Sequence, residues 1–143
     1  MTKFNTKLSS IEEIKKFVSR INGFLADNEG ELLFNLAKAC KGKGVIVEIG
    51  SWRGSSTIWL AKGSKEGSNI KVYAVDPHTG DFNPDKVYIE HNNKELKTFE
   101  EFNKNIKDAN VDDMVVPLVK TSKEAAEHFN EAIELIFIDG AHE

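Results

Sequence analysis

Residues Gly44 to Ser56, GVIVEIGSWRGSS, set the narrowest limits on what this chain can fold into. Val45, Ile46, Val47 and Ile49 make a β-branched run of the kind that fills a strand covered on both faces. Glu48 interrupts the run, and a carboxylate there is costly to bury without a partner. Gly50 and Gly54 permit a tight turn and a close approach of backbone to something bound. Ser55 and Ser56 then open a helix whose first N–H groups and positive dipole end face the same spot. A strand, a glycine turn and a helix start in this order place a ligand pocket at the carboxyl edge of a parallel sheet.

The chain has 143 residues, the size of one domain. A net charge of −4 and a pI near 5.6 argue against nucleic acid or an anionic membrane as the main partner. No apolar run approaches the ~20 residues that cross a bilayer. The first residues, MTKFNTKLSS, lack the apolar core of a signal peptide. A single cysteine, Cys40, excludes an internal disulfide and fits a reducing compartment, so cytoplasm is the expected location.

Taken in order, residues 1–43 read as two helices. Ser10 with Glu13 resembles a capping box, and Ile11, Ile14, Phe17, Val18 and Ile21 share a helix face. A second helix starts near Asp27, with Leu32, Leu33, Leu36, Ala37 and Cys40 expected as its buried stripe. Residues 44–143 read as a half-sheet: strands at Gly44–Ile49, Ile70–Val75, Met114–Val119 and Glu134–Ile138, with helices between them. From Asp76 to Lys97 the chain is polar and weakly periodic, which suggests a lid or binding loop ahead of a helix capped by Thr98. Pro117 removes a ladder donor and marks the third strand as an edge. Ser122 is expected to cap the next helix. Alternation of strand and helix predicts an α/β fold with a doubly wound parallel sheet. The fourth strand is apolar on both faces and belongs inside a sheet. The polypeptide is therefore expected to continue past Glu143, or a second copy of the chain to cover that strand.

Two stretches, VEIGSWRGSST at the first strand and IFIDGAHE at the fourth, are similar to those of the class I S-adenosylmethionine-dependent methyltransferases, in particular the small-molecule branch. The resemblance runs from about Glu31 to the last residue. It implies a Rossmann-like sheet, S-adenosylmethionine as cofactor, and methyl transfer to an oxygen or nitrogen of a small-molecule substrate. It also implies roles for residues. Glu48 holds the methionine ammonium end, directly or through water, and the backbone around Gly50, Ser51, Gly54 and Ser55 lies against the methionine part. Asp76, after the second strand, accepts the ribose hydroxyls, as acids do there in nucleotide-binding sheets. His78 borders the adenosine, and Thr121 and Ser122 lie near the adenine edge. Gly50 and Gly54 also have a plainer reading as the shape of a strand–helix turn, Asp76 as a cap beside Pro77, and Ser122 as a helix cap.

Asp139 ends the fourth strand where related enzymes place a catalytic acid or a ligand for a divalent metal, magnesium or calcium. Methyl transfer is an in-line displacement, so the protein mainly aligns the reactants and removes the acceptor proton. A metal at Asp139 would acidify the acceptor, or His142 would take its proton. Two other readings stay open. A nicotinamide-dependent oxidoreductase expects G-x-G-x-x-G, whereas Gly50 and Gly54 are spaced G-x-x-x-G. A non-catalytic nucleoside-binding or assembly module is the third.

Overall fold

A computed structural model describes residues 11–21, 25–78 and 87–139, with the side chains of 87–97 left aside. Its elements are α1 (Ile11–Val18), α2 (Asp27–Lys38), β1 (Val45–Ile49), α3 (Ser55–Glu66), β2 (Val72–Val75), α4 (Val87–Asp108), β3 (Val115–Leu118), α5 (Ser122–His128) and β4 (Ile133–Ile138). All strand pairs are parallel, in the order β3-β2-β1-β4. The α/β parallel sheet expected from the alternating pattern is present, and Pro117 does lie on an edge strand.

The β-branched run of β1 sits between two neighbours, pairing Ile46 with Val72 of β2 and with Leu135 of β4. Side chains alternate between faces along each strand. One face therefore carries Ile46, Val72, Ala74, Val115, Leu135 and Phe137, which join Leu33, Phe34, Ile58, Trp59, Leu60, Phe102 and Ile106 in a single core. The other face is more open. Val47 and Val75 are buried there, but Ile136 and Ile138 are about half exposed.

Helix α3 is the most deeply set element, with every residue from Ser56 to Ser64 buried. α2 lies against it so closely that a Cβ at Gly63 would stand 2.2 Å from the carbonyl oxygen of Phe34. This approach explains why α2 buries Gly30, Leu33, Phe34 and Ala37. Of the stripe expected from hydrophobicity, Leu33, Ala37 and Cys40 are buried, but Leu32 and Leu36 are 58% and 43% exposed, and Gly30 and Phe34 face inward instead. Close helix contact selected the face with the small residues.

Three other boundaries differ from expectation. α4 begins at Val87, so the second half of the stretch expected to be a lid loop is helical. Residues such as Glu95, Leu96 and Lys97 favour helix even without an apolar stripe, and Thr98 is buried inside the helix rather than capping it. Residues 79–86 of that stretch, Ser10, and Asn22-Gly23 lie outside the described residues. The cap of α5 is Thr121, not Ser122: its hydroxyl accepts from Glu124 N–H at 3.1 Å, and Glu124 returns a bond to the Thr121 N–H. β4 is the outer strand beside β1, and no other described strand pairs with it.

Between α2 and β1 the chain is held by Glu134 of β4, whose carboxylate accepts the N–H groups of Lys41 and Lys43 at 2.5 and 2.8 Å. These backbone bonds keep its carboxyl below the ordinary glutamate range.

Gly63→Ala tests the α2–α3 contact. In an exposed helix this change would stabilise by about 1 kcal/mol. Here the overpacking should win and lower stability by roughly 1–3 kcal/mol, read from urea unfolding; a neutral or stabilising result would refute the close approach.

Candidate functional site

The parallel register lines up the first residues past three strands. Gly50 N–H donates to Val75 O at 2.8 Å, Asp76 N–H to Leu118 O at 3.1 Å, and Asp139 N–H to Ile49 O at 2.8 Å. Gly50, Asp76 and Asp139 therefore form one row at the carboxyl edge, from three segments far apart in sequence. Glu48 lies two residues below Gly50 on β1.

Glu48 is 0% exposed. Its two carboxylate oxygens accept the hydroxyls of Ser56 and Thr57, from the first turn of α3. Burial pushes its pKa up to about 7; the two hydroxyls oppose that rise, and the negative charges of Asp76 and Asp139 add to it. The strand thus ends on an acid tied to the helix that follows. Ser56 and Thr57 were not singled out in the sequence as its partners, although a buried acid followed by Ser55-Ser56-Thr57 at a helix start carries that signal.

Asp76 has a different setting. One oxygen accepts Trp52 N–H at 2.8 Å and the other His78 N–H at 2.7 Å. Trp52 and His78 both stand in the left-handed region, at φ 46° and 57°, where non-glycine residues are uncommon. The carboxylate holds both bends, one in the β1–α3 loop and one after β2. Gly50 and Gly54 complete the first loop at φ 94° and 98°.

The C-terminal half of α4 closes the other side. Arg53 pairs with Glu101 at 2.7 Å and lies 4.4 Å above the Trp52 ring, while Asn105 Nδ2 donates to Arg53 O at 2.9 Å. A Cβ on Gly54 would press on Phe102 at 3.3 Å. The His78 ring packs 5.2 Å from Phe99 and 5.6 Å from Phe102. Burial lowers the His78 pKa against the opposing pull of Asp76. Two buried polar atoms have no hydrogen-bond partner among the described residues: Ser51 Oγ and His78 Nδ1. They belong to the two loops that Asp76 joins.

The remaining expected residues are less enclosed. Ser55 is half-buried at the start of α3. Thr121 and Ser122 are exposed beyond β3, one strand further than Asp76, and the Thr121 side chain is engaged with Glu124. Asp139 is exposed at the end of the row. His142 lies outside the described residues. No group of three or more His, Cys, Asp or Glu among the described residues is placed to hold a metal ion, and no described helix is long and apolar enough to cross a membrane.

Together these observations describe an α/β domain whose candidate site lies at the carboxyl edge of β1 and β2. A family model described as a methyltransferase domain matches residues 47–143, and the chain belongs to that family. Solved structures share the fold. The cofactor-bound structure of Rv0187 from MTB is 23% identical with a TM-score of 0.60, over 97% of this chain and 56% of that one. An O-methyltransferase from Bacillus cereus in complex with SAH is 24% identical with a TM-score of 0.56, over 95% and 56%. The O-methyltransferase TomG from Streptomyces achromogenes, in complex with SAM, is 18% identical with a TM-score of 0.59, over 98% and 56%. The chain spans little more than half the length of these structures.

The raised Glu48 pKa gives a signed prediction. The unfolded chain ionises this group near 4.5 and the folded chain near 7, so the folded state binds its proton more tightly. Its contribution is fully present below about pH 4.5 and is lost as pH rises through about 7. Urea unfolding of Glu48→Gln beside the parent should show the difference move in favour of Gln across that window, by on the order of 3 kcal/mol. A pH-independent difference would refute the shift.

Proposed function

We propose that this chain carries the cofactor-binding half of an S-adenosylmethionine-dependent methyltransferase that acts on an oxygen or nitrogen of a small molecule, in the cytoplasm. The observation that carries this reading is the pair of unpartnered buried atoms, Ser51 Oγ and His78 Nδ1, on the two loops joined by Asp76. Buried polar atoms are almost always paired, and a polar ligand seated between those loops would pair them. The SAM and SAH in the structures of similar fold name a ligand of the right chemistry.

When bound, the cofactor supplies an electrophilic methyl group on a sulfonium. The chain's own residues bind and orient. The backbone of Gly50, Ser51, Gly54 and Ser55 lies along the methionine part, where Gly50, at φ 94°, leaves no Cβ in the way. Glu48 places a negative charge beneath the ammonium end, reached through the hydroxyl of Ser56 or a water, since its own oxygens are buried. Asp76 already accepts one amide on each oxygen, and each oxygen keeps a second lone pair for a ribose hydroxyl. His78 borders the adenosine, with Thr121 and Ser122 toward its adenine edge. Asp139 is exposed at the row's end, where it can take the acceptor proton, with His142 as a second candidate for that task.

A divalent metal does not fit the described donors. The oxygens of Glu48 are held by hydroxyls and those of Asp76 by amides, which leaves Asp139 without companions.

Calorimetric titration tests the assignment. Adenosylmethionine and its demethylated product should both bind and NADH should not; binding of NADH alone would favour the oxidoreductase, and silence with all three a non-catalytic module. Asp76→Asn should weaken adenosylmethionine binding about 10–100-fold, the worth of hydrogen bonds to a charged group, with the circular dichroism spectrum retained. Unchanged affinity would remove Asp76 from the site.

A further inference from the structure

Thr57 is 0% exposed, and its hydroxyl is spent on Glu48. A valine has nearly the same shape and would fill the same place without a hydroxyl to desolvate. The hydroxyl therefore has no packing reason to be there. Its one visible use is electrostatic. Among the described residues the charges acting on Glu48 are both acids, Asp76 from the end of β2 and Asp139 from the end of β4. α3 offers only the Ser56 and Thr57 hydroxyls and its positive N-terminal end. The cation of the adjoining loop, Arg53, is paired with Glu101 of α4.

We propose that Thr57, together with Ser56, is a positioning residue of the cofactor site: the two hydroxyls hold the Glu48 carboxyl so that it ionises when a cation enters. This rests on the reading of the pocket as the seat of a sulfonium cofactor. Hydroxyl donors favour the charged form of an acid, and burial beside other acids favours the neutral one. Before a cation enters, burial and the two acids outweigh the hydroxyls, and Glu48 titrates at about 7. A positive ligand tips the balance, so binding releases the Glu48 proton to solvent and tightens as pH rises through neutrality. Without the Thr57 hydroxyl the neutral form is favoured over a wider range, and binding at neutral pH suffers.

The test reads Glu48 itself first. The side-chain carboxyl of 13C-labelled chain is titrated by NMR without cofactor, in the parent, Thr57→Val and Thr57→Ser, from about pH 5 to about pH 9. The Val variant should titrate higher by on the order of one pH unit, and the Ser variant like the parent. Calorimetry with adenosylmethionine in two buffers of different ionisation heat then reads the released proton. In the Val variant affinity at neutral pH should fall about tenfold and recover at higher pH. Ser56→Ala carries the same comparison if Thr57→Val does not fold. Equal midpoints in the parent and the variant that lacks the hydroxyl would overturn the proposal. A midpoint that moves while adenosylmethionine affinity ignores pH would instead overturn the cofactor assignment and leave the Glu48–Thr57 pairing standing.

Discussion

The carboxylate of Asp76 is the joint on which the ligand end of this domain turns. The loops after β1 and β2 each contain a residue in the left-handed region, Trp52 and His78, and each such bend costs conformational energy. Asp76 accepts the amide of both, so one side chain offsets two local costs and fixes the two loops to each other. The gap between them is then set by a single carboxyl group. Because β1 and β2 are parallel neighbours, those loops leave from the same edge, within reach of one acid.

Helix α4 supports that joint from outside the sheet. Its C-terminal half touches the first loop through Glu101, Asn105 and Phe102, and the second through Phe99, Phe102 and Thr98. Phe102 serves both, filling the space left by Gly54 and lying against the His78 ring. A helix that packs on two loops at once transmits any shift in one to the other. The site is best understood as one corner made of three chain segments, in which Ser51 Oγ and His78 Nδ1 are buried without a hydrogen-bond partner among the described residues.

Much of this was legible in the residues. The β-branched run, the glycine turn and the alternation of strand and helix predict the parallel sheet, because burial and backbone conformation leave few alternatives. Pro117 marked an edge strand by its missing donor. What could not be read depended on other segments. The face of α2 is only partly legible: Leu33 and Ala37 are buried as their spacing predicts, but hydrophobicity also favours Leu32 and Leu36, whereas the bare backbone at Gly63 lies against Phe34. The helical start of α4 was hidden by polar composition, since apolar spacing reports burial and not helix formation as such. In sequence Glu48 is an acid in need of partners, but Ser55 and Ser56 read as helix openers and Thr57 carries no mark of its own. The task of Asp76 in holding two amides had no signature along the chain, as its donors are set by φ angles at distant positions.

The grip of Glu134 on the amides of Lys41 and Lys43 has a bearing on the open side of the sheet. β4 is apolar on both sides, so its composition alone hardly distinguishes one alignment against β1 from the alignment one step away. A one-residue slide would send Ile136 and Ile138 toward the helices and turn Leu135 and Phe137 out. It would also carry the Glu134 carboxylate away from the turn it closes. A polar clasp at the strand's beginning thus decides which oily side chains the domain keeps and which it shows.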